Sequence, residues 1–168
     1  LEETTMKARK MLLVVGCVLV VVFLVNGLAA AKATRTEFSC VEIQTGGGDL
    51  LRVWEAGKTI HVRGMTGVYE DTCDNEDVSG TIVTVVDINY HPTPEGLEAQ
   101  FRGTFVNTNA GGTWVGTFQG TAGADYSFQY DAHGKGTGAY EGLHEFVHTE
   151  GYLGQPLQVT GYILDPGN

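Results

Sequence analysis

The chain has 168 residues, of which 24 are Gly and 4 Pro, and it is 42% hydrophobic and 18% charged. Gly stands well above its ordinary share of about 7% without the three-residue period of collagen, and the apolar fraction is too high for a disordered low-complexity chain. Ten Lys and Arg face 20 Asp and Glu, a formal charge of −10, the opposite of what a protein gripping nucleic-acid phosphates needs.

The N-terminal segment reads as an export signal. Met6-Lys7-Ala8-Arg9-Lys10 is a basic stretch, residues 11–25 are an unbroken apolar run, and Asn26-Gly27 ends it before the small residues Ala29-Ala30-Ala31-Lys32-Ala33. That order is the one signal peptidase accepts. We therefore expect residues 1–31 to form an N-terminal extension and a helical signal peptide, and residues 32–168 a single exported domain. An uncleaved anchor competes with this reading, but the run is shorter than the roughly 20 residues a spanning helix needs. Lipidation at Cys17 competes too, yet residues 18–25 continue the apolar stretch beyond it. Cleavage leaves Cys40 and Cys73 as an even pair, for which an oxidising compartment predicts a disulfide.

From residue 37 onward the apolar period is two, with turn residues between the runs. Weaker strands are expected at 38–44, 50–55 and 59–63. The clearest is 81–90, where Ile82, Val86, Ile88 and Tyr90 share a face, followed by a turn cluster at 91–96. Leu97, Ala99, Phe101, Gly103 and Phe105 then alternate with polar residues. So do Trp114, Gly116, Phe118 and Gly120, then Tyr126, Phe128 and Tyr130, and finally Leu157, Val159, Gly161 and Ile163. Eight or nine antiparallel strands at hairpin spacing make a sandwich or a barrel. Gly on the apparent core faces at 103, 116, 120 and 161 favours a closed barrel, because Gly in a strand marks a bend or a close approach.

Gly134-Lys135-Gly136-Thr137-Gly138-Ala139-Tyr140-Glu141-Gly142-Leu143, with Gly151-Tyr152 after it and Gly161-Tyr162-Ile163-Leu164-Asp165-Pro166 at the end, resembles the G-x-G-x-[aromatic]-x-G segment of the allene oxide cyclase and dirigent barrels and of related small secreted bacterial barrels. The resemblance runs over about residues 78–166 and rests on Gly positions. It implies a barrel. It also implies a cyclase acting on a fatty-acid epoxide, or a protein that steers phenol coupling, but no functional residue of those families carries over to a position here.

The sharpest motif is His144-Glu145-Phe146-Val147-His148, the H-E-x-x-H of zinc peptidases. Its chemistry needs a helix, in which both imidazoles reach one Zn²⁺ and Glu145 polarises the bound water. Gly138, Gly142 and Gly151 crowd the segment and argue for a strand, with His144, Phe146, His148 and Glu150 on one face and Leu143, Glu145, Val147 and Thr149 on the other. Residues 70–77 pack five carboxylates and an Asn into eight positions. The expected reading is a solvated loop beside the disulfide, with Ca²⁺ binding as the alternative. The favoured function is an exported barrel that binds a small, largely apolar molecule through Phe101, Phe105, Trp114, Phe118, Tyr126, Phe128 and Tyr130, or serves structurally. A cyclase or isomerase and a zinc peptidase stand as alternatives. No catalytic residue, cofactor, nucleic acid or oligomeric partner is implied.

Overall fold

A computed structural model describes residues 32–167, so the expected signal-peptide helix lies outside the described residues. Nine strands follow in chain order: β1 (Thr34–Gly47), β2 (Arg52–Ala56), β3 (Thr59–Cys73), β4 (Gly80–Thr93), β5 (Gly96–Thr108), β6 (Thr113–Ala122), β7 (Ser127–Gly136), β8 (His144–Tyr152) and β9 (Leu157–Asp165). A 3-10 turn, Gly138–Tyr140, joins β7 to β8. From β3 to β9 each strand pairs antiparallel with the next. β1 pairs with β9 on one side and β3 on the other. Eight strands thus close a barrel, and each strand of that ring is paired on both sides. β2 lies outside the ring as a hairpin partner of β3 alone.

β3 serves three partners, β2 and β1 in turn along one edge and β4 along the other, because it is long and bulged. Its first residues pair with β2, its last with β1, and its register against β4 shifts between Val62 and Met65. Gly64 sits in that shift at φ 65° and donates its N–H to Asp87 Oδ1. A bulge with Gly in this region bends the strand and sharpens its twist. The sequence reading ended this strand at Arg63 and treated residues 70–77 as one loop. In fact β3 continues to Cys73, because the pairing available from β1 and β4 overrides the weak local preference of its Gly, Asp and Glu residues.

The Gly residues on the inner face have a specific reason. Gly103 pairs with Phe118, Gly116 with Phe105, Gly120 with Phe101, and Gly161 with Phe38. In each pair the Phe ring lies over the glycine: a Cβ on Gly103, Gly120 or Gly161 would stand 2.6 Å from the ring opposite, and one on Gly116 would stand 2.7 Å from Phe105 Cε1. Four large residues therefore fit inside a narrow barrel because each faces a position without a side chain. The expectation that these glycines mark bends is sharpened into a packing role.

The core divides in two. Phe38, Cys40, Val78, Ile82, Phe105, Trp114, Tyr140, Val159 and Ile163 fill one end, with Trp114 and Tyr140 stacked at 5.0 Å. Val62, Val86, Ile88, Ala99, Phe101 and Ala122 pack toward the other, and Phe118 touches both groups. The Gly-rich segment that carries the family resemblance builds the closed end. Gly138 (φ 65°) and Gly142 (φ 85°) flank the turn that places Tyr140 on Trp114. Tyr140 donates its hydroxyl to Asn109 Oδ1 at 2.8 Å, and Trp114 donates Nε1–H to the Asp77 carbonyl at 2.8 Å.

Cys40 and Cys73 face each other across the β1–β3 pairing and are joined by a disulfide over a separation of 33 residues. On the chain-entropy argument this link contributes about 3–4 kcal/mol. A Cys40→Ser/Cys73→Ser double substitution should lower the urea-unfolding free energy by that amount. An effect below about 1 kcal/mol would show that pairing alone holds the seam. Gly116→Ala, which forces a methyl against Phe105 and the His133 carbonyl, should cost about 1–3 kcal/mol in the same assay.

Candidate functional site

Between the two core groups lies a space in two adjoining parts, which share several lining side chains. A cleft of about 560 Å³ opens at the end formed by residues 43–47 and 153–157, lined deeper by Met65, Val86, Tyr90, Phe101 and Phe128. An inner cavity of about 60 Å³ lies beyond it, among Phe38, Phe105, Phe118, Tyr130, Ala132 and Val147. Glu42, Tyr69, Thr84, Phe118 and Phe128 border both. The barrel is thus plugged at the Trp114 end and open at the other.

Three carboxyl side chains reach into the inner cavity from three strands: Glu42 on β1, Asp71 on β3 and Glu145 on β8. Period-two geometry dictates this. Glu42 is in phase with Phe38 and Cys40, Asp71 with Cys73, and Glu145 with Val147 and Thr149, so each shares its strand's inward face. Glu42 is 4% exposed and Glu145 3%. Glu42 lies directly opposite Asp71 in the β1–β3 register. Tyr130 donates its hydroxyl to Glu42 Oε2 at 2.8 Å, reaching from β7. Asp71 Oδ1, Glu145 Oε1 and Asn107 Oδ1 are buried and accept no hydrogen bond within the protein, whereas Asn107 Nδ2 donates to the Val78 carbonyl at 2.8 Å. Gly134 makes room for Glu145: a Cβ there would stand 2.9 Å from Glu145 Cγ.

Burial dominates the electrostatics, since a carboxylate taken from water loses its hydration. It raises Glu145 to about 8. It raises Asp71 to about 8, with the charges of Glu42, Glu145 and Glu70 adding to the effect. Glu42 rises to about 7, burial outweighing the Tyr130 hydrogen bond that favours its ionised form. Burial and the Glu42 charge also push Tyr69 and Tyr130 upward. The inner cavity is therefore a set of protonatable carboxyls in apolar walls.

The structure divides the aromatic set. Phe105, Phe118, Phe128 and Tyr130 line the inner cavity, and Phe101 lines the cleft, where it stacks on Phe128 at 4.9 Å. Trp114 is fully buried and belongs to the plug. Tyr126 is 69% exposed in the β6–β7 turn at φ 68°, so it leaves the inward phase of Phe128 and Tyr130. The chain reverses at residues 123–126, where Tyr126 N–H bonds the Gly123 carbonyl, and the period-two pattern does not extend back through that turn.

The H-E-x-x-H residues form strand β8, not a helix. Glu145 points inward, while His144 and His148 are on the outer face. There His148 Nδ1 meets Asp131 Oδ1 at 2.8 Å, and the His144 ring stacks on His133 at 5.6 Å. Strand spacing sets the two histidines about 13 Å apart, so they do not share an ion, and the zinc-peptidase alternative loses its geometry. The acidic run 70–77 scatters likewise. Glu70 accepts from Thr81 Oγ1, Asp71 faces inward, and Asp74 caps the Ser39 N–H. Among the described residues, the only trio of His, Cys, Asp or Glu with donor atoms within 4.8 Å of one another is Cys40, Asp71 and Cys73, and its two sulfurs are bonded to each other.

The chain matches no protein-family model and no curated protein sequence.

The raised carboxyls set a pH dependence of stability. Between their unfolded values near about 4 and their folded values of about 7 to 8, the folded protein holds more protons than the unfolded chain. Stability then falls as pH rises. The urea midpoint should decline from about pH 5 to about pH 9, and Glu145→Gln should flatten that decline and raise the midpoint at the alkaline end. A wild-type midpoint that climbs across this range would contradict the buried carboxyls.

Proposed function

We propose that the barrel is a receptacle for one small, largely apolar molecule. The ligand enters through the cleft, lies along Phe101, Phe128 and Phe118, and presents its polar end to the carboxyls at the base. The observation that carries this reading is an apolar cleft that adjoins, across shared walls, an inner cavity whose buried acceptor oxygens have no protein partner. A barrel built only for rigidity gains nothing from such groups, since a buried polar group without a partner costs about 1–3 kcal/mol. A ligand-binding site is where that cost is recovered. The disulfide is compatible with an exported protein, and the basic and apolar N-terminal segment supports export.

The cyclase or isomerase reading draws on one feature, carboxyls that can hold or release a proton near neutrality, which is what general acid–base chemistry requires. A fatty-acid substrate fits less well. Neither the cleft nor the inner cavity is lined by a Lys, Arg or His to meet its carboxylate. Binding without turnover is therefore the reading the geometry supports best.

Ala122, on the cleft wall beside Phe128, offers the test. Fluorescence of N-phenylnaphthylamine should rise on mixing with the wild-type barrel, and Ala122→Trp should weaken its affinity at least about tenfold while far-ultraviolet circular dichroism shows the strands still formed, at a thermal midpoint lowered by overpacking. Equal affinity in the two proteins would place the probe elsewhere and count against the receptacle.

A further inference from the structure

The inner cavity is built almost wholly of acceptors. Glu42, Asp71 and Glu145 bring six carboxyl oxygens, and Asn107 turns its carbonyl toward the same space while its amide donates to Val78. Against these stand few donors beyond the protons that the carboxyls themselves carry. Tyr130 gives its hydroxyl to Glu42 and Thr84 gives its own to the Gly67 carbonyl, leaving Tyr69 on the lining and the buried Thr149 hydroxyl on the Glu145 face of β8. Asp71 Oδ1, Glu145 Oε1 and Asn107 Oδ1 remain without a donor.

We infer that the ligand carries a basic amine, whose ammonium group seats among Glu42, Asp71, Glu145 and the Asn107 carbonyl while its apolar body fills the Phe-lined cleft. The inference rests on the receptacle reading and names its ligand class. An ammonium brings three N–H donors and a positive charge, and the site offers three unpartnered acceptors and up to three negative charges. Charge-assisted bonds of this kind are about twice as strong as neutral ones, more so in a dry cavity. Glu42, Asp71 and Glu145 do not bring one oxygen each within 4.8 Å of one another, so they form no three-carboxylate metal shell. The ammonium bonds some of these acceptors, the others lying nearby as charge, and the long apolar approach has no use for a bare ion.

The titratable groups facing the cavity are Glu42, Tyr69, Asp71, Tyr130 and Glu145, and Glu70, bonded to Thr81, acts on Asp71 from the same strand. None of these is a base that would compete for the ammonium position. Because the carboxyls take up protons when the cavity lacks a cation, binding a protonated amine must release protons near neutral pH.

The experiment competes dodecylamine, dodecanol and dodecanoate against N-phenylnaphthylamine on the wild-type protein at neutral pH. The amine should displace the probe at a concentration at least about tenfold below that needed for the alcohol, with the carboxylate weakest. Calorimetry in two buffers of different ionisation enthalpy should show protons released with the amine and none with the alcohol. Asp71→Asn/Glu145→Gln should abolish the amine's advantage over the alcohol. Equal displacement by all three would overturn the amine assignment and leave the receptacle standing, as would a preference for the carboxylate. If none of them binds, the probe included, both readings fall. The three-ligand comparison needs no variant, so it decides the question even if the double substitution unfolds.

Discussion

The pairing of β1 with β3 is the constraint on which the rest depends. Every other strand pair joins neighbours in the chain or brings β1 to β9, and those alone would leave an open sheet with two edges. Closure turns the inner face into an interior, and only then do Phe38, Phe101, Phe105 and Phe118 have something to pack against. Closure also places the candidate site on the seam. Cys40 and Cys73 face each other, and the next inward pair along the register is Glu42 and Asp71. Two like charges directly opposite on adjacent strands are destabilising, and burial makes them more so. The disulfide sits one inward step from the pair that most opposes closure. The seam is held covalently where the electrostatics would open it.

Proton uptake offsets the same repulsion differently. Held near neutrality, the carboxyls need not all be charged in the dry cavity, and Tyr130 supplies the one protein donor that Glu42 accepts. The interior is then tolerable empty and responsive when a cation arrives. Gly134 and the glycines opposite the phenylalanines belong to this arrangement, since they yield the volume that Glu145 and the rings occupy. Space inside a small barrel is scarce, so a residue there is placed only where its neighbour is small.

Much of the fold was legible in the sequence because alternation is a local property. The strands at 81–90, 97–105 and 157–163 show their inward residues directly, and the inner Gly positions were visible as exceptions on the same face. The second half of β3 was not, because Gly64, Gly67, Glu70 and Asp71 interrupt its β-formers and the stretch is held by partners distant in sequence. Tyr126 was misplaced for a related reason: alternation continues on paper through a turn that the backbone does not follow. The aromatic part of the site was largely readable, yet its polar part was missed although the signal existed. Glu42 and Glu145 stand in phase with apolar neighbours, and a charge in the core phase of a strand is the observation most worth following. His144 and His148 form the more conspicuous motif, yet the same phase puts them outside.

The H-E-x-x-H segment shows why geometry must precede motif. In a helix its glutamate and histidines converge on one ion. In a strand the same letters are divided by the sheet, with Glu145 delivered to the interior and the histidines to solvent. The glutamate keeps a chemical role while the metal ligands lose theirs, because inward direction at residue 145 follows from the period of two and not from the motif. Charge on the interior then comes from three strands far apart in sequence, each contributing one carboxyl at one depth. No short pattern records such a cluster. It exists only through the register that closes the barrel, and so the chemistry of the site is a property of the topology before it is one of any segment.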